Sequence, residues 1–329
     1  MSQIKGLAVI EELAGKILME DPDPVVRFLL LRDVLKRPPH DQELVLVRRE
    51  LSENRWVQLL EQEQWEDGSW GRLHSQDTQA KQKIATTEYG VAKAVDLGLD
   101  ADHPILAKAF SYLAGILENG ACRDRPENND RWPTAVRLFI ASTLSMIHPS
   151  SPVSDDIWEL WAEIARRTFA SGKYDYEAER LAHRELTGIK SKLRYLTLNS
   201  KYHVVLLGSR AESLDRGLEE AYVNWIWNEI GYIGYMGAPL NLPPDRLPKR
   251  SLSFWVHSIE LLSAFPSWRK YATDATDWLW LNRNTEGFWD LGQVGDSFFR
   301  LSKNWRKPYC QHDWSTRILI LLRKLYDGQ

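Results

Sequence analysis

Apolar residues recur at i, i+3, i+4 and i+7 through most of the chain, whereas the alternation of apolar and polar residues typical of β-strands never persists. This pattern predicts an all-α protein. The first helix is expected to run from about Ile4 to Met19. A second is expected to follow Asp23, which can cap it, with Pro24 at its first position and Pro38 beyond its end.

Pairs of predicted helices then follow one another along the chain. In the clearest pair, one helix covers Thr86 to Leu97 and ends at Gly98, and the next covers Pro104 to Glu118. The last predicted helix, which starts at Trp314, contains the strongly apolar string "ILILLRKL". Helical hairpins that recur every 40 to 55 residues or so indicate a repeat architecture, and an apolar final helix favours a closed one.

Composition and charge narrow the class of protein. The chain has 329 residues and a formal net charge of −3, which offers no general attraction for nucleic acid. Two cysteines cannot form a disulfide framework, and acidic residues interrupt the apolar N-terminal stretch, so a cytoplasmic protein is expected. No apolar run is long enough to cross a membrane, although peripheral contact remains open. The 15 tryptophans favour either repeated packing at helix ends or an aromatic cavity.

One short motif occurs twice. The strings are "LLEQEQWEDGSWG" at 59–71 and "WLWLNRNTEGFWDLG" at 278–292. In each, an apolar helix end is followed by a glycine and then, two positions later, a tryptophan. Gly68 and Gly287 are expected to take the left-handed conformation that ends a helix, and Trp70 and Trp289 to fold back against it. The motif therefore predicts a rigid link between helical layers.

These two segments resemble the QW repeats of squalene and oxidosqualene cyclases, whose α/α toroid also occurs in the β-subunits of protein prenyltransferases. The resemblance covers roughly Val57 to Tyr326. It implies an α/α toroid of about six helical hairpins with an apolar central cavity. On this interpretation residues 1–55 form an N-terminal helical extension packed on the toroid, and residues 56–329 form the toroid itself.

The residues expected to perform chemistry are less clear than the fold. The DxDD acid motif of class II cyclases is absent. Asp313, next to His312, stands loosely where the family places its acid at the start of an inner helix, so these two are the candidate acid–base pair. An aspartate that caps a helix beside an incidental histidine is the alternative. Candidate substrate-binding residues are His257, Trp255, Trp132, Tyr89, Trp314 and Tyr235.

Metal and thiol sites have weaker support. Asp175, Glu179 and His183 have helical spacing that could gather magnesium ligands, but a solvated charged face is the preferred interpretation. Cys310 lies too close to His312 in sequence for the two to resemble the family's zinc site, whose ligands come from two helices. We therefore expect no cofactor, since neither Mg nor Zn has a supporting motif.

The family resemblance leads to a functional expectation. The protein is expected to be a terpene cyclase-like or prenyltransferase-like enzyme that encloses an isoprenoid or similar apolar chain, with acid–base or carbocation chemistry. Two alternatives stay open: a noncatalytic toroid that binds or scaffolds, and a carbohydrate-active hydrolase or lyase on the same architecture. The tyrosine- and glycine-rich loop around Tyr235 is expected to be either a lid, a membrane-touching patch or simple packing.

Overall fold

The computed structural model describes residues 3–120, 122–190, 196–295, 297–303 and 305–327. Within these ranges the regular elements are helical, and the only β-type pairings are two isolated bridges, Ser200–Gly234 and Tyr232–Pro239. The prediction of an all-α fold is confirmed. The α-helices are α1 (Gln3–Met19), α2 (Pro24–Leu29), α3 (Gln42–Glu50), α4 (Arg55–Glu63), α5 (Thr87–Asp96), α6 (Pro104–Asn119), α7 (Trp132–Ile147), α8 (Asp155–Thr168), α9 (Tyr176–Thr187), α10 (Lys201–Gly208), α11 (Arg216–Asn224), α12 (Leu252–Leu262), α13 (Trp268–Tyr271), α14 (Thr273–Leu281) and α15 (Tyr309–Arg323).

Local signals at helix ends act as expected near the N-terminus. The Asp23 carboxylate accepts a hydrogen bond from the backbone N–H of Val25 at 3.1 Å and so caps α2, which continues as a π-helical turn over Leu30–Val34. In the "DADH" turn, His103 caps α6 through its ring nitrogen, 3.3 Å from the backbone nitrogen of Ile105. Helix starts that depend on one local side chain are therefore readable from sequence.

The last helix begins five residues earlier than predicted, at Tyr309 instead of Trp314. Its first turns carry polar residues that interrupt the apolar periodicity, so the sequence pattern did not predict these turns as helical. Gln311, His312 and Asp313 are nevertheless buried, because each finds a polar partner from another segment. Hydrogen bonds to other segments thus stabilise the first turns of α15, which the apolar pattern of the sequence does not predict.

Four helices surround the main cavity, and we call α5, α7, α10 and α12 the cavity helices. α5 packs against α7, α7 against α10, and α10 against α12. Their sequence neighbours lie alongside them, since α6 contacts both α5 and α7, and α8 contacts both α7 and α10. α15 packs on α1 and α2. Consecutive helical hairpins therefore stack on one another.

The first motif copy joins three helices. Gly68 has a φ of +91°, and a Cβ placed on it would lie 2.3 Å from the backbone oxygen of Lys108, so both conformation and space require glycine. The fully buried indole of Trp70 donates from Nε1 to the carbonyl of Leu60 in α4 at 2.8 Å. The backbone N–H of Trp70 donates to the Thr87 hydroxyl at the start of α5 at 3.1 Å.

The second copy repeats this arrangement at the other end of the chain. Gly287 has a φ of +93°. The buried indole of Trp289 donates to the carbonyl of Leu279 in α14 at 2.6 Å, and its backbone N–H donates to the Ser315 hydroxyl in α15 at 3.0 Å. Both glycines have the predicted positive φ, and each tryptophan folds back to cap a carbonyl of the preceding helix, as expected. Neither glycine ends that helix, however, because α4 already ends at Glu63 and α14 at Leu281.

The N-terminal helices pack on the C-terminal part of the chain. The Asp23 carboxylate accepts a hydrogen bond from the backbone N–H of Lys303 at 3.0 Å, and Glu20 lies 2.8 Å from Nε2 of His312. These contacts are compatible with an extension over residues 1–55, although the division at residue 55 stays a prediction. Among the described residues, no helix is long and apolar enough to cross a membrane.

Candidate functional site

A cavity of about 300 Å³ lies between the cavity helices. This volume is at the small end of the range of about 300–1,000 Å³ that is usual for small-molecule sites. Aliphatic and aromatic side chains make up most of its wall, and a few charged groups reach it. It is lined by Ala92, Val95, Asp96, Ser145, Met146, Lys201, Val204, Val205, Gly208, Ser209, Tyr235, Met236, Phe254, His257, Glu260, Leu261, Ala264 and Phe298.

A charged cluster on one side of the cavity is centred on Arg317 of α15. Its guanidinium lies 2.8 Å from the carboxylate of Glu260 on α12 and 3.1 Å from that of Asp96 on α5. Burial would raise the pKa of Glu260, but the positive charge of Arg317 and a hydrogen bond with His257 lower it to about 2. Burial opposes the charge on Arg317, yet Asp96 and Glu260 together raise its pKa. Glu260 and Arg317 therefore both stay ionised at neutral pH.

His257 belongs to this cluster and lines the cavity. Its Nδ1 lies 3.2 Å from Glu260 and 3.2 Å from the Arg317 guanidinium. A ring that donates from Nδ1 to Glu260 keeps Nε2 as an acceptor, whereas a ring that accepts from Arg317 at Nδ1 keeps a proton on Nε2. In both tautomers Nδ1 is held by the cluster, so Nε2 is the nitrogen left to exchange a proton with a ligand.

A second polar cluster reaches the cavity through Lys201. Glu88 of α5 receives the ammonium of Lys201 at 2.9 Å, Nδ1 of His74 at 2.9 Å and the hydroxyl of Tyr202 at 3.0 Å. Burial would raise the pKa of Glu88, but Lys201 and His74 lower it to about 2. Lys201 lines the cavity, whereas His74 lines a separate surface hollow. The cluster thus lies between the cavity and the surface.

Asp313 and His312, the predicted acid–base pair, lie away from the cavity lining. Asp313 is fully buried, and its carboxylate accepts hydrogen bonds from the backbone N–H groups of Leu301 at 2.8 Å and Ser302 at 3.0 Å, and from the Ser302 hydroxyl. Burial raises the pKa of Asp313 to about 7, against these hydrogen bonds. The buried ring of His312 points to Glu20. This geometry fits a carboxylate that holds a loop, in the second turn of α15 rather than at its cap.

Of the predicted substrate-binding residues, His257 and Tyr235 line the cavity. Tyr235 has a φ of +72°, which is strained for a tyrosine, and its side chain is 62% exposed. Its ring meets the ring of Tyr202 edge-on, with 5.8 Å between centroids. The neighbouring Ile233 and Met236 are buried, because the loop turns its aliphatic side chains inward.

The other four predicted aromatics are placed elsewhere. Trp255 and Trp314 are buried in the packing between helices, where Trp314 donates to the carbonyl of Gly292 at 3.0 Å. Trp132 lines the surface hollow that also contains His74. Tyr89 packs against Phe298, a cavity residue, with 4.2 Å between ring centroids. Helical spacing alone did not separate cavity-facing from core-facing tryptophans.

The predicted charged face on α9 is wrong. Asp175 caps the helix, but Glu179 and His183 are buried. The Glu179 carboxylate accepts a hydrogen bond from the backbone N–H of Leu198 at 3.1 Å, so it serves tertiary packing. Within the described ranges, no group of three histidine, cysteine, aspartate or glutamate side chains is arranged to hold a metal ion. Burial raises the pKa of the Cys310 thiol, so this residue is a weak nucleophile.

Several residues of the two clusters were not foreseen. Arg317 had a readable signal, since it is a cation directly before the apolar string that begins at Ile318 in the last helix. Glu88, His74 and Lys201 had none, because they come from three separate segments that only tertiary folding brings together. No known protein family, curated protein or solved structure matches the chain, so its function has to be argued from the geometry of the site.

Proposed function

We propose that the helices close into an α/α toroid with the cavity at its centre. The successive contacts from α5 to α12 support this arrangement, because they link four of the roughly six inner helices that a toroid of this kind would have. Arg317 of α15 supports closure of the ring, because its guanidinium binds Glu260 of α12 and also Asp96 of α5. The matching tryptophan links near the two ends of the chain fit a repeat that returns to its start.

We further propose that the protein is an enzyme that encloses a small, mainly apolar molecule, such as an isoprenoid or similar chain, and transfers a proton to or from it. The observation that carries this proposal is His257, a histidine oriented by Glu260 and Arg317 on the wall of a mainly apolar cavity. An oriented imidazole is a usual general acid or base near neutral pH. Phe254, Phe298 and Tyr235 supply aromatic faces that stabilise positive charge on a bound molecule.

In this proposal His257 replaces the predicted pair Asp313 and His312. Nε2 of His257 exchanges the proton with the ligand, while Glu260 stabilises the imidazolium and Arg317 holds Glu260 in place. The low pKa of Glu260 fits this supporting role, because a carboxylate that stays ionised does not protonate an alkene at neutral pH.

A binding protein without catalysis is the second candidate. It is favoured by one specific observation: Glu260 and Asp96, the carboxylates on the cavity wall, are both paired with Arg317, as in a structural ion-pair network. The two candidates make different predictions for His257, because removing it abolishes turnover in an enzyme but leaves binding in a carrier.

The test is incubation of the purified protein with isoprenoids of three head types, namely prenyl diphosphates, squalene and farnesoic acid, with and without magnesium, followed by analysis of organic products by mass spectrometry. We expect product from the wild type and from the control His40→Ala, whose side chain is on the surface. His257→Ala is expected to lower the rate by about 10²–10⁴-fold, the usual contribution of a general acid or base. Absence of any product, or equal rates in all three proteins, contradicts the enzymatic proposal.

A further inference from the structure

A second cavity, of about 230 Å³, adjoins the apolar one. The two share the wall residues Val95, Asp96, His257, Glu260 and Leu261. The first is mainly apolar, whereas the second has a concentration of charged groups, which come from the π-helical extension of α2, from α5, α12 and α15, and from Lys324 directly after α15. A molecule with an apolar chain and a charged head therefore finds complementary surroundings in two adjacent spaces.

Lys324 is the one charged group on this second wall that has no oppositely charged partner. Its ammonium donates to the hydroxyl of Ser263 at 2.8 Å, and no carboxylate of the described residues lies within salt-bridge distance of it. Burial lowers the pKa of Lys324, as expected for a cation whose lost hydration is not replaced by an anion.

The carboxylates around Lys324 are already engaged. Asp33 binds Arg32 through two hydrogen bonds of 2.7 and 2.8 Å, and Glu260 binds Arg317. Asp327 lies 3.1 Å from Lys36 and 3.4 Å from Arg323, and Asp96 shares Arg317 with Glu260. These groups comprise five cations and four carboxylates, so the region has room for one further negative charge.

We propose that this second cavity is a head-group site for a single carboxylate, which binds Lys324 and Ser263 while the apolar chain of the same molecule lies in the first cavity. This inference rests on the proposed function in its use of the apolar cavity. It narrows the ligand to a monoanionic amphiphile. A carboxylate matches one ammonium and one hydroxyl, whereas a diphosphate would place several charges beside Asp33, Asp96 and Glu260.

The experiment compares two probes that differ only at the head, decanoate and decanol, by isothermal titration calorimetry at neutral pH. The wild type is expected to bind decanoate at least about tenfold more tightly than decanol, the effect of one charge-assisted hydrogen bond. Lys324→Met is expected to abolish this preference without weakening decanol. The control Lys81→Met removes an exposed lysine that lines neither cavity and is expected to keep the preference.

Each outcome separates the head-group site from the proposed function. Equal affinity of the wild type for both probes, or an equal loss of both in Lys324→Met, overturns the head-group site and leaves the apolar cavity intact. Failure of both probes to bind overturns the apolar ligand as well. Lys324→Arg keeps the charge and is expected to retain the preference, which guards against a Lys324→Met variant that does not fold.

Discussion

Glu88 and Lys201 form an ion pair between α5 and α10. Its contribution to the free energy of unfolding can be measured by changing one residue. The carboxylate is also bonded to His74 and Tyr202, so its three partners come from loop and helix segments far apart in sequence. Removing this charge leaves Lys201 with only the face of the Tyr202 ring, 5.3 Å away, in place of a carboxylate.

Glu88→Gln is expected to lower the free energy of unfolding at pH 7 by a few kcal/mol, on the order of the linkage from its pKa shift. The pKa of Glu88 falls from 4.5 to about 2 on folding, so the stabilisation is present above pH 4.5 and lost as the pH falls towards 2. The difference between variant and wild type should therefore shrink across that window in chemical denaturation. Glu12→Gln, at an exposed pair, should follow the wild type. A gap that persists at pH 2 contradicts this account.

Residue-level chemistry was predictable only where spacing was local. His257 and Glu260 are three positions apart on one helix, a spacing that brings two side chains together. The surroundings of Asp313 were not predictable, because its partners, Leu301 and Ser302, lie in an irregular segment that sequence patterns do not place. The lack of a carboxylate partner for Lys324 was not predictable for the same reason, since it depends on which cation each neighbouring carboxylate binds.

At the scale of elements, the two motif copies have the same backbone but different surroundings. Both Gly68 and Gly287 have φ close to +90°. A Cβ on Gly68 would lie 2.3 Å from the carbonyl oxygen of Lys108, whereas a Cβ on Gly287 would meet only a methyl group of Leu13 at 3.0 Å. A side chain at either glycine would therefore strain the backbone, but only at Gly68 would it also collide with another backbone segment.

Gly68→Ala is therefore expected to destabilise the protein more than Gly287→Ala. The common strain costs about 1–3 kcal/mol, and Gly68→Ala adds the displacement of the α6 backbone at Lys108. Thermal and urea unfolding of the two variants measures the difference. Gly15→Ala serves as a control, because a Cβ there meets nothing within 4 Å. Equal losses in the two motif variants contradict the environment described for Gly68.

Helix positions were largely predictable because they depend on periodicity and on caps such as Asp23 and Thr86. The start of α15 was missed, since the polar residues in its first turns are stabilised by segments elsewhere in the chain. The motif predicted the positive φ of both glycines and the fold-back of both tryptophans, because these features depend on contacts within ten residues of chain, but it misplaced the ends of α4 and α14.

At the scale of the whole molecule, helical hairpins pack beside one another, and four of their helices line an apolar cavity. A second, more charged cavity adjoins it. His257 and Glu260 lie where the apolar space meets the charged one, so a ligand that fills both would pass the proposed acid–base group. Sequence predicted an apolar cavity through a family resemblance. It did not predict which helices would surround that cavity.

A crystal structure of the wild-type protein grown with decanol would show whether this cavity is the ligand site. We expect electron density for the alkyl chain between α5, α7, α10 and α12, in contact with Phe254 and Leu261. A structure in which that space is filled by the protein's own side chains, with decanol bound only on the outer surface, would contradict it.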